Sequence, residues 1–155
     1  MKIPHKVLVA LDSSPMSEEI LAAVGERQWL PGSQIRLISI VRPAGGDDVT
    51  REYMHQARII HAERVTGLAK RLYKCAVGGE CLEGSAPDLI LNTAKSWKAD
   101  LIVIGSHGDT GPRQNNIGSV AATIVNQAPC SVFVIKIKQA TEPKTLTAQV
   151  ASHQN

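Results

Sequence analysis

One segment carries the chain's clearest chemistry. Gly105-Ser106-His107-Gly108 is followed by nine residues and then by Gly118-Ser119. Glycine reaches positive φ without a steric penalty and lets an anion approach backbone N–H groups, because no Cβ intervenes. A helix opening at Gly118-Ser119 adds N–H groups without intrahelical acceptors and the positive end of the helix dipole. This is the chemistry of phosphate recognition, and it marks the segment from Gly105 to Ser119 as the candidate binding loop. Two other phosphate signatures are absent. GxxxxGK[ST] is excluded because no lysine lies between Lys98 and Lys136, and GxGxxG does not follow the first apolar run.

Charge limits what this segment does alone. Between Gly105 and Ser119 the formal charges are Asp109 and Arg113, which cancel. An exposed helix terminus contributes about 0.3–1 kcal/mol per interaction, a thin counterweight to a polyphosphate. A divalent cation, Mg²⁺ or Mn²⁺, is therefore expected beside the phosphates, with Asp109 or Ser119 as candidate oxygen ligands. His107 is a candidate general base, but the sequence fixes no Ser or Cys nucleophile beside it, so a backbone role in the loop is the expectation. The hydroxyls of Ser106, Thr110 and Ser119 suit hydrogen bonding to phosphate and equally suit phosphorylation.

The elements that must position the segment are legible from hydrophobic periodicity. Apolar runs at Lys6–Asp12, Gln34–Val41, Cys75–Leu82, Asp100–Gly105 and Ser131–Ile137 read as strands. Between them, amphipathic stretches read as helices. The first is capped by Ser14 with Pro15 at its first position, carries Ile20, Ala23 and Val24 on one face, and ends by Pro31-Gly32. The second spans Asp48–Tyr73, with Val65, Leu68, Ala69 and Leu72 inward and His55 and His61 on the solvated face. A third is capped by Ser85, with Ile90, Ala94 and Trp97 inward, and a fourth covers Ile117–Ala128, with Ile117, Val120, Ala121, Ile124 and Val125 inward. Gly78-Gly79 weakens the third strand. Strict alternation of strands and helices implies a parallel sheet with helices on both faces, and ligands bind beyond the carboxyl ends of such strands.

Composition agrees. Aromatic residues are only 3% of the chain, so Val, Ile, Leu and Ala must fill the core, as in buried parallel strands. The 155 residues suit one domain, taken as 1–138, with 139–155 expected to be a mobile tail. A net charge of +3 without a basic run argues against nucleic acid as a partner. No apolar stretch approaches the ~18 residues that cross a bilayer, and the first ten residues do not resemble a signal peptide, so no membrane partner and a cytoplasmic location are expected. Cys75, Cys81 and Cys130 lack the spacing of a disulfide framework or zinc site and read as reduced packing residues.

The glycine pattern, together with the strand ending in Asp12, the run Ala99–Gly105 and Ala128-Pro129-Cys130-Ser131-Val132, resembles the universal stress protein family over about residues 5–137. Gly105, Gly108, Gly118 and Ser119 match that family's ATP-binding pattern, although many relatives have a basic residue where Asp109 stands. The resemblance implies strand order 3-2-1-4-5 in a Rossmann-like α/β fold and adenine held by backbone near Ala10, Leu11 and Val41. It also implies Asp12 near the ribose, phosphates along Gly105–Gly108 and Gly118–Val120, and a homodimer formed through Ser131–Ile137. The function it implies is ATP-dependent regulation in a stress response, AMP or ADP being alternative ligands, with hydrolysis absent or slow. A weak ATPase or phosphotransferase and a nucleotide-independent dimeric module are the competing readings.

Overall fold

A computed structural model describes residues 5–43, 45–108 and 117–136. The expected tail and Asp109 through Asn116 lie outside these residues. The chain runs β1 (Lys6–Leu11), α1 (Met16–Glu26), β2 (Gln34–Val41), α2 (Asp47–Arg71), β3 (Ala76–Glu83), α3 (Ala86–Trp97), β4 (Leu101–Gly105), α4 (Ser119–Gln127) and β5 (Ser131–Ile135). All strand pairs are parallel, and the sheet order is β3-β2-β1-β4-β5, as expected.

The period of two along each strand divides the core between the two faces of the sheet. Val7, Val9, Leu11, Ile35, Leu37 and Val103 face α1 and α2, meeting Ile20, Leu21, Val24, Leu68 and Leu72. Leu8, Ala10, Ile38, Ile40, Ile102 and Ile104 face α3 and α4, meeting Ile90, Ala94, Ala121 and Ile124. The central strand β1 is therefore buried on both sides, which is why its sequence shows no alternation of apolar and polar residues. The three cysteines are free and half-buried, and burial raises each thiol pKa.

Several local expectations are corrected. Ser14 does not cap α1 through its side chain; its amide and hydroxyl turn back to Asp12 Oδ1 at 2.9 and 2.6 Å. Ser85 precedes α3 in extended conformation, but its side chain makes no capping bond. Helix α4 starts at Ser119, so Ile117 lies before it and is 46% exposed, while Val125 is 51% exposed because one residue beyond Ile124 turns about 100° off the buried face.

The largest correction concerns α2. His55 is exposed as expected, but His61 is buried and only 6% exposed. Its Nδ1 lies 2.7 Å from Ser39 Oγ on β2, and among the described residues no hydrogen-bond partner is found for its Nε2. Burial pushes the ring below its ordinary value of 6.5, and the Arg64 charge adds to this against the opposing influences of the Gly79 backbone and Glu80. Folding thus favours neutral His61, and stability present above the unfolded-state value of 6.5 falls as pH drops below it, until the lowered folded-state value is passed. Urea unfolding from pH 7.5 to 5 should show this loss, and His61→Gln, which can keep a bond to Ser39, should remove that part of the slope. An unchanged slope in the variant would refute the assignment.

Candidate functional site

Parallel strands with β1 at the centre leave a crevice at their carboxyl ends, and a cavity of about 500 Å³ lies there. That is within the roughly 300–1,000 Å³ typical of small-molecule sites. Ala10, Leu11 and Asp12 at the end of β1 form its floor with Ile104 and Gly105 of β4. Ser106, His107 and Gly108 make one wall with Gly118, Ser119, Val120 and Ala121 at the start of α4. Ala86 and Ile90 of α3 and Arg42 close the opposite side. Every candidate binding residue within the described chain lines this one cavity except Val41.

Val41 departs for a simple reason. Strand β2 continues past Ser39, the partner of β1's last residue Leu11, so Val41 stands above the floor with its side chain buried and 3% exposed. The next residue, Arg42, reaches the cavity instead. Arg42 is exposed and was missed by the sequence reading, which counted charge only between Gly105 and Ser119. Its signal was its place, one residue beyond a strand beside the central one.

The corner after β1 is tightly bonded. Asp12 Oδ1 accepts from the Ser14 amide and hydroxyl. The fully buried Ser17 hydroxyl accepts from the Asp12 amide at 3.0 Å and lies 3.0 Å from both the Asp12 carbonyl oxygen and Oδ1. The carboxylate is therefore held at the cavity rather than swinging in solvent.

The glycines serve close approach rather than unusual backbone angles. Gly118 has φ −65°, and Gly108 is likewise outside the left-handed region. A Cβ on Gly108 would stand 2.7 Å from Asp12 Oδ2, and one on Gly118 would stand 3.0 Å from the Ser106 carbonyl oxygen. That carbonyl accepts the Gly118 amide at 2.7 Å, while the Ser106 amide donates to Ile135 at 2.8 Å. Strand β5, the loop after β4 and the start of α4 are thus fastened together. The N–H groups of Ser119, Val120 and Ala121, in the first turn of α4, have no intrahelical acceptor, the arrangement that suits an anion at a helix N-terminus.

Ser106 Oγ lies 3.0 Å from His107 Nδ1, a pairing the sequence reading did not expect, and no partner is found for the buried His107 Nε2 among the described residues. Ser106 is 5% exposed, so this hydroxyl is embedded in the loop. Among the described residues, no group of three His, Cys, Asp or Glu side chains is placed to hold a metal. Ser119 lines the cavity, whereas Asp109 falls outside the described chain.

This arrangement can be set beside known proteins. The model of the universal stress protein family matches residues 4–136. The chain belongs to the universal stress protein family. Universal stress protein A homolog 2 of Coxiella burnetii is 31% identical over 144 residues, covering 86% of this chain and 95% of that protein. Among solved structures, the universal stress protein UspA from Lactobacillus plantarum superposes with a TM-score of 0.67 at 21% identity, covering 86% of this chain and 99% of the other. A universal stress protein from Archaeoglobus fulgidus in complex with dAMP gives a TM-score of 0.59 at 24% identity, covering 87% and 100%. These likenesses confirm the Rossmann-like fold of this universal stress protein. No helix among its described residues is long and apolar enough to cross a membrane.

Proposed function

We propose that this universal stress protein binds ATP as a nucleotide-dependent regulatory factor in a stress response, with hydrolysis absent or slow, and acts in the cytoplasm. The observation that carries the reading is the convergence of Asp12, the Gly105–Gly108 loop and the amides opening α4 on one cavity of suitable volume. The Archaeoglobus fulgidus relative's complex with dAMP supports an adenine nucleotide as the ligand class. In this reading the base lies between Ala10 and the β2 end at Val41-Arg42, Asp12 meets the ribose, and the phosphates extend to Gly108, Gly118, Ser119 and Val120. The cation, Mg²⁺ or Mn²⁺, arrives with the phosphates, with Ser119 Oγ available as one oxygen donor. Two chains pair through β5, an edge strand whose Phe133 is 36% exposed, which removes an unpaired edge.

Titration calorimetry with AMP, ADP and ATP, each with Mg²⁺ and with EDTA, tests the reading. ATP binding that weakens with EDTA is the expected result, and absence of heat or thermal shift for all three nucleotides would overturn it. Arg42 supplies a sharper check on orientation. Because β2 and β4 flank β1 on opposite sides, Arg42 faces the base end, away from the α4 terminus. Arg42→Ala should weaken all three nucleotides by a similar factor, about threefold for one exposed cationic contact. A penalty growing from AMP to ATP would place Arg42 on the phosphates and reverse the orientation.

A further inference from the structure

Among the described residues, α2 contributes none to the cavity wall. It nevertheless reaches the corner that presents Asp12. Arg64 Nη1 donates to the Asp12 carbonyl oxygen at 3.0 Å, and its Nε donates to Glu18 Oε1 at 3.1 Å. About two turns nearer the start of α2 than His61, the Tyr53 hydroxyl donates to Ser13 Oγ at 3.0 Å. These bonds span 52, 46 and 40 residues of sequence, so they join separate elements rather than neighbours.

We propose that Arg64 is a positioning residue for the nucleotide: its guanidinium clamps the Asp12 peptide between β1 and α1, fixing the carboxylate and making α2 respond to ligand. The inference rests on the nucleotide-binding reading of the cavity. The Arg64 side chain is only 10% exposed, so its charge has left most of its water. A buried charge is costly unless it is well bonded, and an apolar side chain of similar volume is often at least as stabilising. What an apolar residue lacks is the planar fork, which holds a carbonyl and a carboxylate at fixed relative positions. Arg64 holds the Asp12 carbonyl while the Asp12 amide and Oδ1 are bonded to Ser17 and Ser14, so the peptide planes on both sides of the Asp12 Cα are tied and the carboxylate they carry is fixed with them.

Coupling is reciprocal, so a ligand that grips Asp12 also orders Arg64 and the helix that carries it. The same helix exposes Val49, Tyr53, Ile59 and Ile60, which gives the ordering an outward surface.

Affinity for ATP and AMP, with hydrogen exchange of residues 53–64 measured with and without ATP, tests the inference in the full chain. In the wild type, ATP should slow exchange across that segment. Arg64→Met should lose about tenfold in affinity for both nucleotides, the scale of one charge-assisted bond, and abolish the slowing. Arg64→Lys, with one donor site in place of the fork, should recover part of the affinity. Asp12→Asn combined with Arg64→Met should bind no more weakly than Asp12→Asn alone, because both act through one corner. A purely structural defect would instead multiply the two losses. Wild-type affinity in Arg64→Met, multiplied losses, or slowing that survives in Arg64→Met would each overturn the inference while leaving nucleotide binding intact. A wild type that binds neither nucleotide would overturn the functional reading and this inference with it.

Discussion

Replacing Gly118 by valine should abolish adenine-nucleotide binding while the five-stranded sheet remains folded. Even the Cβ of alanine would stand 3.0 Å from the Ser106 carbonyl oxygen, a main-chain atom that cannot rotate away, with the His107 Cα already in contact at 3.7 Å. The two γ-carbons of valine must therefore separate the loop after β4 from the start of α4, breaking the 2.7 Å bond from the Gly118 amide to Ser106. The amides of Ser119, Val120 and Ala121 then no longer converge with the Gly105–Gly108 loop on the place proposed for the phosphates. A hydrogen bond to a charged group contributes about 1.5–3 kcal/mol, so the whole displaced turn should lower affinity at least about a hundredfold. Stability should fall by only about 1–3 kcal/mol, the usual range for overpacking, because Ala121 and Ile124 still anchor α4. Calorimetry with Mg-ATP should show no heat while far-UV circular dichroism stays unchanged. Affinity within threefold of wild type would show that the α4 terminus does not hold the ligand.

Much of this architecture was legible before any coordinates, and for identifiable reasons. β2 matches its expected span because its apolar run is bounded by Ser33 on one side and Arg42-Pro43 on the other. β1 and β4 are short because the turn residues Asp12 and Gly105 close them. The glycine spacing located one wall of the cavity. It did not give the reason for the glycines, since their φ values are ordinary and the decisive fact is which atom lies opposite each, the Asp12 carboxylate for Gly108 and the Ser106 carbonyl for Gly118. Arg42 and Arg64 were hidden for a related reason. Each acts across the sheet or between helices, and nothing in the local sequence records the element it meets. His61 was misplaced because α2 is rich in charged residues and its inward face is not uniformly apolar, so periodicity could not show that one of its polar residues points at Ser39.

These hidden contacts change the electrostatic reading of the site. Counted along Gly105–Ser119, the binding segment is nearly neutral, and a cation had to be invoked to balance a polyphosphate. Among the described residues, Arg42 also stands at the cavity and Asp12 lies near Gly108, so charged groups outside the Gly105–Ser119 segment line it as well.

Alanine at Gly79 should unfold the protein, whereas alanine at its neighbour Gly78 should leave stability nearly unchanged. Gly79 has φ +151°, and a Cβ there would fall 1.8 Å from the Leu37 carbonyl oxygen and under 3 Å from the Leu37 C and N atoms. Leu37 cannot give way, since it is fully buried and paired with Val9 on one side and Gly79 on the other. The β2–β3 ribbon would have to part, and with it the seat of α2, which packs on β3 and places His61 against Ser39. Losses above about 4 kcal/mol are exceptional for one substitution and arise from this kind of main-chain conflict, so little folded Gly79→Ala protein is expected. At Gly78 nothing lies within 4 Å of the added carbon, and the change should stay within roughly 0.5 kcal/mol. Urea unfolding of the two variants side by side is decisive, because both carry the same chemical change in adjacent residues of one strand. Equal stability would mean that β3 does not approach β2 as closely as described. A large difference would show that the pair read from sequence as a weakness in the strand contains one residue on which the edge of the sheet depends.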